Sequence, residues 1–432
     1  MALARKAIKQ RFQPSSKATA LMESFRQMTN DCIRIGLGYE MECGRTPSMK
    51  KLSLLSYGEI RKRYGGHSGF ALCAISKASG ILSARAKSIR RGFPTKAPYL
   101  SRPVLVSCYG FGIEEGKLII HLDSHSTESI QLNSHTRALL SESSLMVRSF
   151  TLTRDSLSLC VSKEVKDIPN AEILGPIGID RNLRNLTVGD SSRIAFYDMT
   201  KVVRISENTR CIIRSFKRAD VRVRREIAAK YGRRRSERTK QLLNLVSRKI
   251  VMDAKANRQV LVFEDIKGIR RLYMKGDMQR KSFRDRMNSA PWYELKRQTE
   301  YKGAWEGVPV ITLTRGETRG TTMDCPRCGE RLQVAIRGDR EHYRQLWCGV
   351  CQRWRDRDVV AVLNISRKGW LRFDHSKGGA GEAVRGNPRE EGGSEEPVIL
   401  RVDASKLPLQ SQQGRRNLAL ERGDQELPEE IL

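Results

Sequence analysis

The 432-residue chain is short of acid: 48 Asp and Glu stand against 80 Lys and Arg, a formal charge of +32 at pH 7. An excess of that size repels itself unless a polyanion is present, and nucleic acid is the natural one. Long apolar runs are lacking too. No uninterrupted stretch approaches the roughly 18 residues of a spanning helix, and the N-terminus has no apolar core of the signal-peptide kind, so no membrane partner is expected. Aromatics are few, 6% of the chain. Tyr99, Tyr109 and Phe111 offer faces on which bases can stack, but each serves as readily in a core. Ten cysteines without a secretory signal argue for reduced thiols in a cytoplasm. The chain is also longer than the roughly 250 to 300 residues at which single cores stop growing, so more than one domain is expected.

What is present begins with Ile173–Val188, ILGPIGIDRNLRNLTV, where an apolar run carries Asp180 to the end of a strand and Leu183, Leu186 and Val188 start another. Gly178 lets the backbone pass close to a neighbour. A buried acid is costly to ionise unless a cation or hydrogen-bond donors meet it; the plainer alternative is a turn-forming Asp. Gln259–Ile266, QVLVFEDI, is a second apolar strand ending in acid, Glu264 then Asp265. Asp356-Arg357-Asp358 precedes Val359, Val360, Ala361, Val362, Leu363 and Ile365, which read as an apolar helix. Three acids on the rims of apolar elements suit hard divalent cations such as Mg²⁺, a pair of which can clamp a phosphodiester. Between the second and third acids lie Cys325 and Cys328, then Cys348 and Cys351, two CxxC pairs 19 residues apart. That spacing fits a zinc ribbon with one tetrahedral metal. Gly329 and Gly349 suit its knuckle turns, and two disulfides would need an oxidising compartment. The other six cysteines, Cys32, Cys43, Cys73, Cys108, Cys160 and Cys211, read as buried thiols.

In chain order, Ala4–Phe12 reads as a basic strand. A helix capped by Ser15 or Ser16 follows, with Ala18, Leu21, Met22, Phe25, Met28 and Cys32 at helical spacing and Gly36, Gly38 and Gly44 breaking it. Further helices are expected from Leu52 to Arg63 and from Phe70 to about Ser88. From Ala97 short strands alternate with turns such as Glu115-Gly116. Arg204–Lys249 is the most basic segment; Arg214, Lys217, Arg218, Arg222, Arg225 and Arg234 are its candidate nucleic-acid contacts, since Lys and Arg at this density track phosphates without reading sequence. Lys267–Arg286 reads as a mobile loop and Trp292–Lys302 as an amphipathic helix. After Trp370, Gly and Pro among polar residues suggest a disordered tail in which Val398–Val402 forms one isolated strand.

GIDRNL around Asp180, VFEDI around Glu264 and CPRC…CGVC followed by DRDVVAVLNI resemble the split RuvC nuclease and inserted zinc ribbon of the TnpB family, transposon-encoded RNA-guided nucleases related to miniature type V CRISPR effectors. The resemblance runs from roughly Arg5 to Trp370. It implies catalytic, Mg²⁺-binding roles for Asp180, Glu264 and Asp358 and a structural zinc on Cys325, Cys328, Cys348 and Cys351. The family commonly has Asn where this chain has Val360 and Ala where it has Val362. The implied fold is a multidomain α/β protein. A β-barrel-like wedge domain (1–15 and 96–170) carries a helical recognition lobe (16–95). A RuvC-like, RNase H-type nuclease (171–317 and 356–372) carries the zinc ribbon (318–355), and 373–432 is the disordered tail. The implied activity is Mg²⁺-dependent, RNA-guided endonucleolytic cleavage of double-stranded target DNA by a two-metal site, with guide RNA as partner, in the cytoplasm of a prokaryote and associated with its nucleoid. The alternatives are a guide-dependent DNA-binding repressor of the same fold that has lost cleavage and an unguided junction resolvase; whether the protein is a homodimer stays open.

Overall fold

The computed structural model describes residues 2–65, 68–122, 126–169, 172–216, 219–269, 273, 279–336, 339, 341–375 and 397–408. The chain divides into two compact units, Leu3–Glu164 and, together with Met1–Ala2, Val165–Leu432.

The N-terminal unit runs β1 (Ala2–Arg11), α1 (Ser16–Cys43), α2 (Met49–Tyr64), α3 (Ser68–Arg90), β2 (Leu105–Ser107), β3 (Phe111–Glu114), β4 (Lys117–His121), β5 (Thr127–Gln131), α4 (Ser134–Leu140), β6 (Met146–Leu152) and β7 (Ser156–Val165). Four strands form a sheet in the order β1-β7-β6-β2, and β3-β4-β5 form a second. Glu115 and Gly116, both with positive φ, make the two-residue turn between β3 and β4, the geometry that matches the twist of a hairpin. Ser15 caps α1 by accepting from the N–H of Ala18. Contrary to the sequence reading, Gly36 and Gly38 do not break α1; Gly44 ends it in the left-handed region, its N–H bonding the carbonyl of Glu40. Gly36 is there for room, because a Cβ at that point would stand 2.4 Å from Cδ1 of Leu82 on α3. The core joins Phe25 and Met28 of α1, Leu52 and Ile60 of α2, and Phe70, Ile75 and Leu82 of α3 to Leu105, Phe150 and Leu159 of the sheet. The cysteine reading also needs correcting. Cys32 and Cys73 are buried, but Cys43, Cys108 and Cys211 are exposed.

The second unit continues with β8 (Gly175–Arg181), β9 (Asn185–Gly189), β10 (Arg193–Asp198), α5 (Thr200–Ser215), α6 (Ala228–Ala256), β11 (Gln259–Glu264), α7 (Lys281–Ser289), α8 (Trp292–Glu306), β12 (Val310–Leu313), β13 (Gln333–Val334), β14 (Gln345–Cys348), β15 (Arg353–Asp356), α9 (Arg357–His375) and β16 (Val398–Asp403). Its sheet has the order β12-β11-β8-β9-β10-β16. The first three strands in sequence form an antiparallel meander, and β11 and β12 run parallel to β8. Strand alternation sorts the two faces. Ile177 and Ile179 of β8 and Leu261 and Phe263 of β11 join Leu243, Val246 and Ile250 of α6 and Leu295 of α8 in one core. Gly178 of β8 and Val262 of β11 face the other way, toward α9. Ile365 of α9 packs on Val262 and Leu313, and Ser366 Oγ donates to the carbonyl of Pro176.

Two expectations differ here. The strand at Val398–Val402 is not isolated: it extends to Asp403 and pairs in parallel with β10, Ile399 beside Ile194 and Val402 beside Tyr197. Within the expected loop Lys267–Arg286, Lys281 onward is helical; Arg270–Leu272 and Met274–Met278 lie outside the described residues. Residues 376–396 and 409–432 of the tail also lie outside them.

A Cβ on Gly178 would stand 2.2 Å from the carbonyl oxygen of Val362 and 2.9 Å from the N–H nitrogen of Ser366. Both are backbone atoms, so α9 would have to move. Gly178→Ala is therefore expected to lower the unfolding free energy by about 1 to 3 kcal/mol, the usual cost of overpacking. Gly38→Ala, where nothing lies within 4 Å, is expected to raise it by about 0.5 to 1 kcal/mol by removing helix-interior glycine. Denaturant titration of both variants checks the contrast; a Gly178→Ala protein as stable as the parent would mean that α9 does not sit this close.

Candidate active site and metal centre

The same alternation that turns Gly178 and Val262 toward α9 turns Asp180 and Glu264 that way, two residues further along each strand. The register sets Val262 beside Gly178 and Phe263 beside Ile179, so both strands end in an acid at the same end of the sheet. Asp358 meets them from the first turn of α9, where the helix dipole favours a negative charge. Asp180 and Asp358 are buried and Glu264 half-buried.

Asn182 joins two of the three. Its Nδ2 donates to Asp180 Oδ2 at 2.7 Å and to Asp358 Oδ1 at 3.1 Å. Asp358 Oδ2 accepts from Asn185 Nδ2 at 2.6 Å and from Arg344 Nη2 at 2.5 Å. Glu264 Oε1 lies 3.1 Å from the hydroxyl of Thr321. Burial, then the charges of Glu264 and Asp358, push the Asp180 carboxyl up to about 7. Burial also raises Glu264, against the Thr321 hydrogen bond and the charge of Arg181. Arg181 is itself brought down to about 10 by burial. Its guanidinium donates to the carbonyls of Trp292 and Glu264 and lies over the Phe263 ring, strapping β8 to β11 and to the start of α8.

Two neighbouring acids do other work. Asp356 Oδ1 accepts from the N–H groups of Asp358 (2.8 Å) and Val359 (3.2 Å), so it caps α9. Asp265 is taken up by the backbone and side chain of Lys267.

Hard carboxylate oxygens from three elements suit Mg²⁺, and Asp180 is raised by burial first and then by the like charges of Glu264 and Asp358, which a cation would neutralise. Among the described residues, however, the four cysteines are the one group of three or more metal-ligating side chains whose donor atoms all lie within 4.8 Å of one another. The three carboxylates are spaced more widely, with the Asn182 amide between two of them.

The cysteines fit zinc closely. Four sulfurs about 2.3 Å from a tetrahedral metal stand about 3.8 Å apart, and here Cys325 and Cys351 are 3.8 Å apart and Cys328 and Cys348 3.5 Å. A disulfide would need about 2.05 Å. Burial works to raise the Cys325 thiol, but the N–H groups of Cys328 and Arg327 and the neighbouring thiols outweigh it and bring it down to about 7. Gly329 takes the left-handed turn of the first knuckle; in the second that place belongs to Gln352, not Gly349. Val360, the departure noted in the sequence, is fully buried against Cys325, Cys348, Leu332 and Leu346. One turn later Asn364 Nδ2 donates to the carbonyls of Thr321 and Asp324. Helix α9 thus ties the cysteine cluster to the sheet and carries Asp358 between them.

Arg214, Arg225 and Arg234 are exposed on α5, the π-helical turn Val223–Ile227 that precedes α6, and α6, and exposed Arg222 immediately precedes that turn. Arg214 lies 3.6 Å from Asp285, and Arg222 3.8 Å from Asp220. Lys217 and Arg218 lie outside the described residues. Sequence reasoning missed Asn182, Asn185, Thr321 and Arg344; for the first two, the polar run after Asp180 was a usable signal.

No helix among the described residues is long and apolar enough to cross a membrane. The family model of the Cas12f1-like TNB domain matches residues 292–365, a span that holds the four cysteines and Asp358. A TnpB-like protein of Methanocaldococcus jannaschii is 27% identical over 228 residues, 48% of this chain and 76% of that protein. Two solved structures are similar over 84% of this chain. One is the Cas12f1–sgRNA–target DNA complex, with 14% identity, 98% of that chain covered and a TM-score of 0.35. The other is the mini-RNA-guided endonuclease CRISPR-Cas_phi3, with 9% identity, 92% covered and a TM-score of 0.49. The chain is thus similar to a TnpB-like protein over three quarters of that protein's length and, around its cysteines, to the Cas12f1-like TNB domain.

Proposed function

We propose that the protein is an RNA-guided DNA endonuclease with a RuvC-like, RNase H-type catalytic unit, and that Asp180, Glu264 and Asp358 hold its Mg²⁺. The observation that carries this reading is the meeting of three acids, from segments far apart in sequence, at one end of one sheet, where burial and mutual charge raise Asp180. The antiparallel meander β8-β9-β10, with β11 and β12 parallel to β8, supports the RNase H-type reading. When bound, Mg²⁺ supplies positive charge at the phosphate undergoing hydrolysis. The chain's own residues do the rest. Asn182 and Asn185 orient Asp180 and Asp358, Thr321 orients Glu264, and Arg344 holds Asp358. The sheets and helices of the N-terminal unit serve as the wedge and recognition lobe that hold guide RNA. Target choice comes from base pairing with that RNA, while exposed arginines on α5 and α6 hold phosphates. Zinc on the four cysteines is structural, since four thiolates leave no position for water.

The test is to purify the protein with the RNA it carries, replace the guide segment, and offer plasmids with and without the matching target in Mg²⁺. Cleavage of the matched plasmid is expected. Binding without cutting would move the protein to the repressor reading, and cutting without RNA to an unguided nuclease. In the same preparation, reversing Arg222, Arg225 and Arg234 to Glu is expected to weaken nucleic-acid binding across sequences. It should also flatten the salt dependence by about one unit of log–log slope per lost phosphate contact. Unchanged affinity and slope would make these arginines a solvated face.

A further inference from the structure

The second unit holds a cavity of about 180 Å³ that the catalytic reading does not use. It lies among α5, α6, α7 and the turn after β8. Its floor is apolar, with Val202, Val203 and Ala290 all buried. Its rim is cationic, with exposed Arg235 and Lys240 and half-buried Arg286. Arg286 Nη1 lies 3.5 Å from Glu207. Glu294, the acid on the rim, is already held by Arg297 through Nη2 and Nε and by Gln298.

A cavity below the roughly 300 Å³ of drug-sized ligand sites has room for one ring system with a polar edge, not for a base pair. An apolar floor under a cationic rim is complementary to a nucleotide, with the base inward and the phosphate outward. Leu183, part of the lining, lies three residues past Asp180 and next to Asn182, which touches both Asp180 and Asp358. Three residues span at most about 11 Å, and stacked nucleotides advance about 3.4 Å each along a strand, so the cavity is within about three nucleotides of the acids.

We propose that this cavity receives one unpaired base of the strand being cut, with an adjoining phosphate accepting from Arg286. The inference rests on the nuclease reading above and adds to it a place for the strand. A base inside a duplex cannot enter without being extruded, which is least costly where the strand is already single. Binding through the base face tolerates any sequence.

The experiment uses the full protein with its RNA and single-stranded substrates in which each of the three nucleotides on either side of the cleavage site is made abasic in turn. Cleavage is expected to slow roughly ten-fold, within the range of one lost base-stacking contact, at one of these positions. In Arg286→Gln and Ala290→Leu proteins, the intact substrate should be cut at about that slower rate, and the abasic substitution should add nothing further. Thermal midpoints within a few degrees of the parent separate this from misfolding, and Arg286→Lys, which keeps the charge that holds the phosphate, should cut faster than Arg286→Gln. If the wild type cuts every abasic substrate at the intact rate, the cavity holds no base and the inference fails alone; if it cuts no substrate, the nuclease reading fails with it. Tight binding of free dAMP without any strand, at a site lost in Arg286→Gln, would assign the cavity to a free nucleotide and overturn its assignment to the strand.

Discussion

Asp180→Asn will stop Mg²⁺-dependent cleavage, by roughly 10³-fold or more, while guide-dependent DNA binding survives. Asp180, Glu264 and Asp358 come from β8, β11 and α9 and meet at one place, so on the proposed reading each would supply a part of a cation site that the others cannot replace. Glu264→Gln and Asp358→Asn are expected to be equally inactive and the double variants no worse, as is usual for residues that act as a unit. Asp356→Ala should still cut. Its carboxylate caps α9 through the N–H groups of Asp358 and Val359, and losing a cap costs about 1 kcal/mol of stability, not the chemistry. An active Asp358→Asn beside a dead Asp356→Ala would exchange the two assignments. The same carboxyl also predicts how stability varies with pH. Burial, then the charges of Glu264 and Asp358, hold Asp180 up to about 7 instead of its ordinary 3.8, so the folded protein binds this proton more tightly than the unfolded chain does. That stabilisation is fully present below about pH 4 and is lost as the pH rises through 7. Without divalent cations the thermal midpoint should therefore fall between pH 5 and 8, and Mg²⁺ should restore it at pH 8. In Asp180→Asn both the fall and the response to Mg²⁺ should shrink. A midpoint that ignores Mg²⁺ in the wild type would remove the cation from this site.

The acids were legible because each sits where an apolar run stops. Strand or helix pattern fixes the neighbours, and a carboxylate at the rim is then the exception that stands out. Their partners were not legible. Asn182 and Asn185 reach Asp358 across 176 and 173 residues of sequence, and no local pattern records which distant side chain an amide will meet. Arg344 is one of 80 Lys and Arg, and only the folding of the cysteine-bearing segment against α9 sets it apart. The same limit explains the strand Val398–Asp403. Its sequence shows a strand, but its partner is β10, about two hundred residues earlier. Gly36 read as a helix breaker because propensity is local, whereas the reason for glycine there is Leu82 on another helix. Val360 departs from the family's usual Asn, and its place in the cluster around Cys325 and Cys348 makes it a packing residue of the cysteine-bearing segment.

Replacing Cys348 by Ser should release zinc and take cleavage with it, although no cysteine touches the acids. The apparent free energy of zinc on four thiolates is about 10 to 16 kcal/mol in small zinc-binding folds. Here the strands it would hold, β13, β14 and β15, are two to four residues long. They have little other core, since Leu332, Leu346 and Val360 are the buried apolar side chains beside Cys325 and Cys348. Without the metal this cluster has nothing to pack around. Its loss reaches Asp358 by two routes: Val360 loses its seat within the first turn of α9, and Arg344, whose carbonyl also accepts from the N–H of Arg357, leaves the Asp358 carboxylate. Metal analysis is expected to find one zinc per folded wild-type chain and well under half in Cys348→Ser, with cleavage reduced at least 100-fold. The N-terminal unit has its own core and should keep its unfolding transition, so the variant should lose one transition and retain another. Adding Mg²⁺ should not rescue cutting, because the failure lies in the placement of Asp358 and not in cation supply. A Cys348→Ser protein that binds no zinc yet cuts at the wild-type rate would show that α9 holds Asp358 without the ribbon.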